Sequence, residues 1–292
     1  MTFGEFANDL RRGLEEASLP TFDYPDTVAR MAANLSGYAA VRAVAGSRRD
    51  AAGAAPRATE GPASQLISSA QKQGRISLLE PEAYAVCKQY DIRVPPFKMV
   101  ESAEDALSAA REIGYPVVLK VVSAQILHKS DIGGVMLGVA SDRDLEQSYA
   151  RLAENVRKAA PDIRNPSVLV QKMMPPTTEL VLGAIRDKLF GPVIMFGLGG
   201  IYVEVMKRVG FRLARFGIEE ARDLIQDTLP AALIAGARGR SPMNLDSIAE
   251  NLVSLGRLLE EQPRIQQVDL NPCLAFKEGC MAVDSRIILA RE

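Results

Sequence analysis

Residues 117–139 read VVLKVVSAQILHKSDIGGVMLGV, two apolar runs framing a polar middle. The first run, with Pro116 ahead of it, has the branched composition of a strand, and GGVMLGVA over 133–140 reads as a second. Strand alternation puts Val118 and Lys120 on one face, and Val117, Leu119 and Val121 on the other. A lysine is almost never buried without an anionic partner. Lys120 is therefore either a phosphate ligand projecting into a cleft or an edge-strand lysine guarding against aggregation. Between the two runs stands His128, the only histidine in 292 residues.

Working outward, the periodicity alternates between helix and strand. LLEPEAYAVCKQYDI (78–92) looks helical, with Pro81 at a tolerated first-turn position. SAEDALSAAREIG (102–114) has Ser102 as N-cap and Gly114 as a stop. Amphipathic helices are also expected over 142–160, 218–229 and 244–262. Strands are expected over 167–173, 178–186, 191–197, 265–272 and 280–289. Strand pairs packed with helices, rather than strict βαβ alternation, predict an α+β domain with mostly antiparallel sheets over 75–292. Ahead of it, residues 1–42 read as helix, turn, helix. Residues 43–74 begin with an Ala/Gly/Ser/Pro run without periodicity and read as a flexible linker.

The balance of 35 basic against 36 acidic residues argues against nucleic acid or an anionic membrane as the main partner. Three cysteines without metal-type spacing fit a reducing compartment, and no apolar run is long enough to span a bilayer. A cytoplasmic protein is expected.

Three further stretches carry chemistry. GPVIMFGLGGIYVEV (191–205) contains Gly199 and Gly200, whose freedom lets backbone approach a ligand, followed by the acid Glu204. It is neither a GxGxxG nor a Walker A sequence, and hairpins also use glycine. VDLNPCLAFKEGCMAVDSRI offers Asn271 and Asp284 on two segments that read as hairpin arms. They suit either magnesium ligation or ordinary turn chemistry. In VQKMMPPTTELVLGAIRD, the backbone of Gln171, Lys172 and Met173 could meet an adenine edge, and Glu179 ribose hydroxyls.

Taken in order, strand lysine, Gly-Gly strand, proline hinge, Glu strand, glycine loop and Asn-Pro/Asp hairpin resemble the ATP-grasp fold, with its two α/β subdomains. More narrowly, ILHKSDIGGV, GPVIMFGLGGIYVEV and VDLNP resemble the nucleotide-binding beta part of ADP-forming acyl-CoA synthetases, relatives of succinyl-CoA synthetase. The segment LPTFDYPDTVARMAANLSGYAAVR looks like the close of the ligase domain that precedes ATP-grasp in fused members. The resemblance implies ATP/ADP and Mg²⁺ as cofactors and a phosphate relay through His128, which Lys129 and Asp131 would help orient. It implies Lys120, Gly199 and Gly200 on the phosphates, Gln171 to Met173 on adenine, and Glu179 on ribose. Asn271 and Asp284 would hold the magnesium, and Glu204 would shape the phosphate site. The full reaction also needs a CoA-binding domain and a second histidine, so a separately encoded CoA-binding alpha subunit is expected as partner. The competing expectations are another ATP-grasp carboxylate ligase, which needs no histidine, and a non-catalytic nucleotide-binding remnant.

Overall fold

A computed structural model describes residues 3–22, 24–49, 59–126, 129–163, 166–200, 209–236 and 242–290. The chain divides into two units, residues 1–53 and 54–292. The first is a pair of helices, α1 (Phe3–Glu16) and α2 (Pro25–Arg49). Pro25 and Asp26 start α2 as residues suited to a first turn. Phe6, Leu10 and Leu14 recur at helical spacing along α1, and all three are exposed. The helix–turn–helix expectation holds here, but α2 runs on to Arg49, into the stretch expected as linker.

A second correction falls on the same stretch. Residues 62–72 form α3 (Pro62–Lys72), and Ala63, Ile67 and Ala70 are buried in the core of the second unit. Proline opens the helix, and its small residues let it pack closely despite a linker-like composition. The rest of the second unit has two layers of sheet and helix. A four-stranded sheet, ordered β1-β4-β2-β3, comprises β1 (Phe97–Val100), β2 (Val117–Val122), β3 (Val135–Val139) and β4 (Ser167–Lys172). Two helices cover it, α5 (Ala103–Ile113) and α6 (Asp142–Ala159), each with a serine N-cap. Ser102 accepts from the Asp105 amide at 3.1 Å and Ser141 from the Asp144 amide at 3.2 Å. Val117, Leu119 and Val121 pack into this core with Leu145 and Leu152.

The larger sheet has six strands, β5 (Thr178–Asp187), β6 (Gly191–Leu198), β7 (Val209–Leu213), β8 (Ile265–Ala275), β9 (Cys280–Ala282) and β10 (Arg286–Leu289). Its order is β10-β8-β5-β6-β7, with β9 also pairing β8. α4 (Glu80–Gln89), α7 (Ile218–Thr228) and α9 (Leu245–Glu261) share its core, and the short α8 (Ala231–Ile234) follows α7. Every strand pairing described is antiparallel, as the sequence predicts for this α+β chain.

Two details position the site. β2 lies between β4 and β3, so Lys120 is on an interior strand and the edge-guard reading falls. The expected single strand over 280–289 breaks at Val283–Ser285 into β9 and β10. That break aims the Val283 carbonyl and Asp284 at the side chains of β2 and α4. No helix among the described residues is long and apolar enough to cross a membrane.

Candidate functional site

Lys120 is only 7% exposed and finds its anion in Glu80, the first residue of α4. Its Nζ donates to Glu80 Oε1 at 2.6 Å and to the Val283 carbonyl at 2.7 Å. The other oxygen of Glu80 pairs with Lys129. The Tyr84 hydroxyl, one turn along α4, lies 2.9 Å from Glu80 Oε1 and 2.7 Å from the Val283 carbonyl. Gln171 on β4 closes the network, its Nε2 donating to the same carbonyl at 3.2 Å. α4 itself is held by Glu82, which accepts from the Leu79 amide at 2.7 Å and takes both guanidinium nitrogens of Arg75.

This network forms one wall of a cavity of about 280 Å³. Lys129, Ser130 and Asp131, from the turn ahead of β3, line it as well. Asp269 and Asn271 of β8, with Asp284 from the β9–β10 break, complete the lining. The cavity therefore mixes the cations Lys120, Lys129 and Arg286 with the carboxyls of Glu80, Asp131, Asp269 and Asp284 and the Asn271 amide.

The carboxyls respond to this mixture in different directions. Burial alone would push the Glu80 carboxyl up, but Lys120 and Lys129 outweigh it and hold the group below the usual range. Burial pushes Asp284 up; Lys120 opposes this and Glu80 adds to it, and the net direction is upward. Asp269 is raised by burial and by Asp284 beside it. Two carboxyls that resist ionisation together are a place where a divalent cation is favoured. No group of three His, Cys, Asp or Glu side chains gathers among the described residues to hold a metal unaided. Asp269, Asn271 and Asp284 offer oxygens of the kind magnesium takes one or two of, with water and phosphate completing its shell.

The sequence-predicted residues divide into groups. Lys120, Asn271 and Asp284 line one cavity, and Gln171 is buried against its wall. Lys172 and Met173 face other demands. The Lys172 ammonium is held by the carbonyls of Gly114 and Tyr115 at 2.8 and 2.9 Å. The backbone amides of Lys172 and Met173 donate to Pro96 and Pro116. Glu179, Gly199 and Gly200 make a separate corner at the β5–β6 end. The Gly199 amide donates to the Glu179 carbonyl at 2.7 Å. Gly200 has φ +61°, and a Cβ there would come within 2.6 Å of Glu179 Oε2. His128 and Glu204 lie outside the described residues.

Sequence reasoning missed Glu80, Tyr84 and Asp269. Glu80 reads as an ordinary first-turn acid, welcome at a helix N-terminus with or without a partner. The usable signal is on Lys120: a strand lysine destined for burial demands an acid from elsewhere in the chain. Asp269 stands two residues before Asn271 on β8, so strand alternation places both side chains on one face.

The family profile described as the ATP-grasp domain matches residues 69–289. The chain is 41% identical over 227 residues to the beta subunit of ADP-forming acetate–CoA ligase I from Pyrococcus furiosus. That match covers 78% of this chain and 97% of the relative. Among solved structures it is similar to an acetyl-coenzyme A synthetase 1 of Ca. Korarchaeum cryptofilum in complex with coenzyme A and Ca-AMPCP. The two are 40% identical with a TM-score of 0.74, over 77% of this chain and 99% of that one. A second structure of that enzyme holds coenzyme A and Mg-AMPPCP, with its phosphohistidine segment pointing towards the nucleotide binding site. It is 38% identical with a TM-score of 0.69, over 78% of this chain and all of that one.

Proposed function

The chain belongs to the ATP-grasp family of ADP-forming acetyl-CoA synthetase beta subunits, and from that premise we propose the roles of its residues. It is the ATP-binding, phosphoryl-transferring part of an ADP-forming acyl-CoA ligase. The overall reaction is acid + CoA + ATP ⇌ acyl-CoA + ADP + phosphate. The observation that carries the reading is the meeting of Lys120, Asn271 and Asp284 in the cavity that Lys129, Ser130 and Asp131 also line. The residues that follow His128 in the sequence thus line the same cavity as the cation and the oxygen ligands.

In this reading Lys120 meets the phosphates of ATP as a point charge. Asn271 and Asp284, with Asp269 beside them, hold magnesium, which when bound neutralises charge on the phosphate oxygens. Gly199 and Gly200 offer backbone to the phosphates, Glu179 reaches the ribose, and the Gln171–Met173 segment lies along the adenine. Glu204 shapes the phosphate site. A ring nitrogen of neutral His128 attacks the γ-phosphorus; the bond to the ADP oxygen breaks and a phosphorus–nitrogen bond forms. Catalysis by the chain is positioning and charge neutralisation. A CoA-binding alpha subunit then takes the phosphoryl group, and the acid is bound there.

The test is direct. The purified chain is incubated with Mg-ATP, and its peptides are searched by mass spectrometry under alkaline handling for phosphohistidine. Phosphate on His128, absent from His128→Ala and strongly reduced in Lys120→Ala, is the expected result. ATP binding without phosphate on His128, with or without a CoA-binding alpha subunit, would overturn the relay.

A further inference from the structure

Phosphate binding by itself does not require Glu80; an acid beside two lysines competes with the phosphates those lysines would hold. Yet Glu80 is 5% exposed and both its oxygens are engaged, one with Lys120 and Tyr84, the other with Lys129. Its backbone is fixed at the start of α4 by the Leu79–Glu82–Arg75 contacts. Lys129 opens a tight turn whose far end is firmly fastened. The Gly134 amide donates to the Lys129 carbonyl at 2.7 Å, and the Val121 amide to the Gly134 carbonyl at 2.8 Å. Asn155 on α6 donates to the Gly133 carbonyl at 3.0 Å. Gly133 has φ +65°, and a Cβ there would meet Asn155 Nδ2 at 2.5 Å, so the turn closes only with glycine. Its near end is tied to α4 through the Lys129 side chain.

We propose that Glu80 is a positioning residue: one buried carboxylate latches the turn 129–134, which follows His128, to the strand lysine Lys120 and to α4. The inference rests on the reading of His128 as phosphoryl acceptor and deepens it. Entering phosphates are rival anions for Lys120 and Lys129. Glu80 therefore weakens ground-state nucleotide binding while it sets where the turn can stand. A residue that only supported the fold would not separate those two effects.

The experiment uses the full chain with Glu80→Gln, Lys129→Met and the double variant. Hydrogen exchange of the amides in 129–134 is measured without nucleotide. Exchange about tenfold faster or more is expected in each single variant, and no faster in the double, because both break one tie. Affinity for Mg-AMPPCP is expected to rise several-fold, roughly 3 to 10 times, in Glu80→Gln, where a competing anion is removed, and not in Lys129→Met. Phosphorylation of His128 at saturating ATP is expected to slow in both variants. Unchanged exchange in 129–134, or binding and transfer weakened in proportion in Glu80→Gln, would overturn the latch. If Glu80→Gln fails to fold, exchange in Lys129→Met, whose side chain is partly exposed, decides alone. If the wild-type chain never carries phosphate on His128, the relay reading falls, while the exchange and affinity measurements still decide the latch.

Discussion

Two acids in this chain, Glu179 exposed and Glu80 buried, owe their surroundings to opposite means. Glu179 belongs to a corner made by neighbours in register: β5 and β6 pair Leu180 with Leu198, which brings Gly199 and Gly200 back against it. Glu80 belongs to a cluster made by distant segments. Lys120 is 40 residues away in sequence, Lys129 is 49, and the Val283 carbonyl that Lys120 also meets is 163 from it. The corner forms whenever the β5–β6 hairpin forms. The cluster forms only when α4, β2 and the β9–β10 break are all in place. Damage to the first should stay local, and damage to the second should loosen the whole second unit.

The sharpest way to break that contrast is Lys120→Ala. It leaves Glu80 buried with half its compensation, and losing one partner of a buried ion pair typically costs about 3–5 kcal/mol. Urea melts of the nucleotide-free chain measure this, and a loss below about 1 kcal/mol would mean that the cluster supports nothing outside itself. The matching change in the corner is Gly200→Ala. At φ +61° an alanine carries roughly 1–2 kcal/mol of strain, and its Cβ must displace the end of the flexible Glu179 side chain. The expected loss is therefore smaller, and hydrogen exchange should confine it to the β5–β6 end.

Asp284→Asn probes the cluster with the opposite sign and is the smallest effect on stability, within about 1 kcal/mol. The folded carboxyl is raised, so the native state holds its proton more tightly than the unfolded chain does. Ionisation then costs stability as pH rises through the unfolded and then the folded value, and the cost is in force at neutral pH. The amide should raise the Tm of the nucleotide-free chain at pH 7 while weakening magnesium-dependent nucleotide binding. Glu80 runs the other way. Its folded carboxyl is lowered, so its stabilisation is complete above the unfolded value of about 4.3 and is lost as pH falls through the folded one. Acid titration of Glu80→Gln should accordingly be flatter than that of the wild type below about pH 4.5.

The same contrast explains what could be read from sequence. Of the corner, the sequence shows the local parts, glycines for close approach and a strand on either side, but not that Glu179 meets Gly199 and Gly200. The oxygen pair Asn271 and Asp284 was legible because it falls on two segments with hairpin spacing. The helix at 62–72 was hidden because Ala, Ser and Gln make a weak apolar stripe that burial against a larger core completes. β1 and β7 are short strands at sheet edges, and in each most positions are exposed or half-buried, so they carry little periodic signal. The break at 283–285 has a local sign in the turn-favouring pair Asp284–Ser285, and across it the buried positions change parity, from Cys280 and Ala282 to Ile287 and Leu289. Glu80 was hidden for a different reason: its partners are fixed only by tertiary packing, and nothing in LLEPEAY separates it from a routine helix start.

The Val283 carbonyl lies within hydrogen-bond reach of Lys120, Tyr84 and Gln171, carried by β2, α4 and β4. The joint between the strand lysine and the β9–β10 break is thus made by a backbone atom, which every amino acid supplies. Any residue at position 283 that keeps the break in the strand would present the same carbonyl to these donors. What the joint asks of the sequence there is a shape of the chain and not a particular side chain.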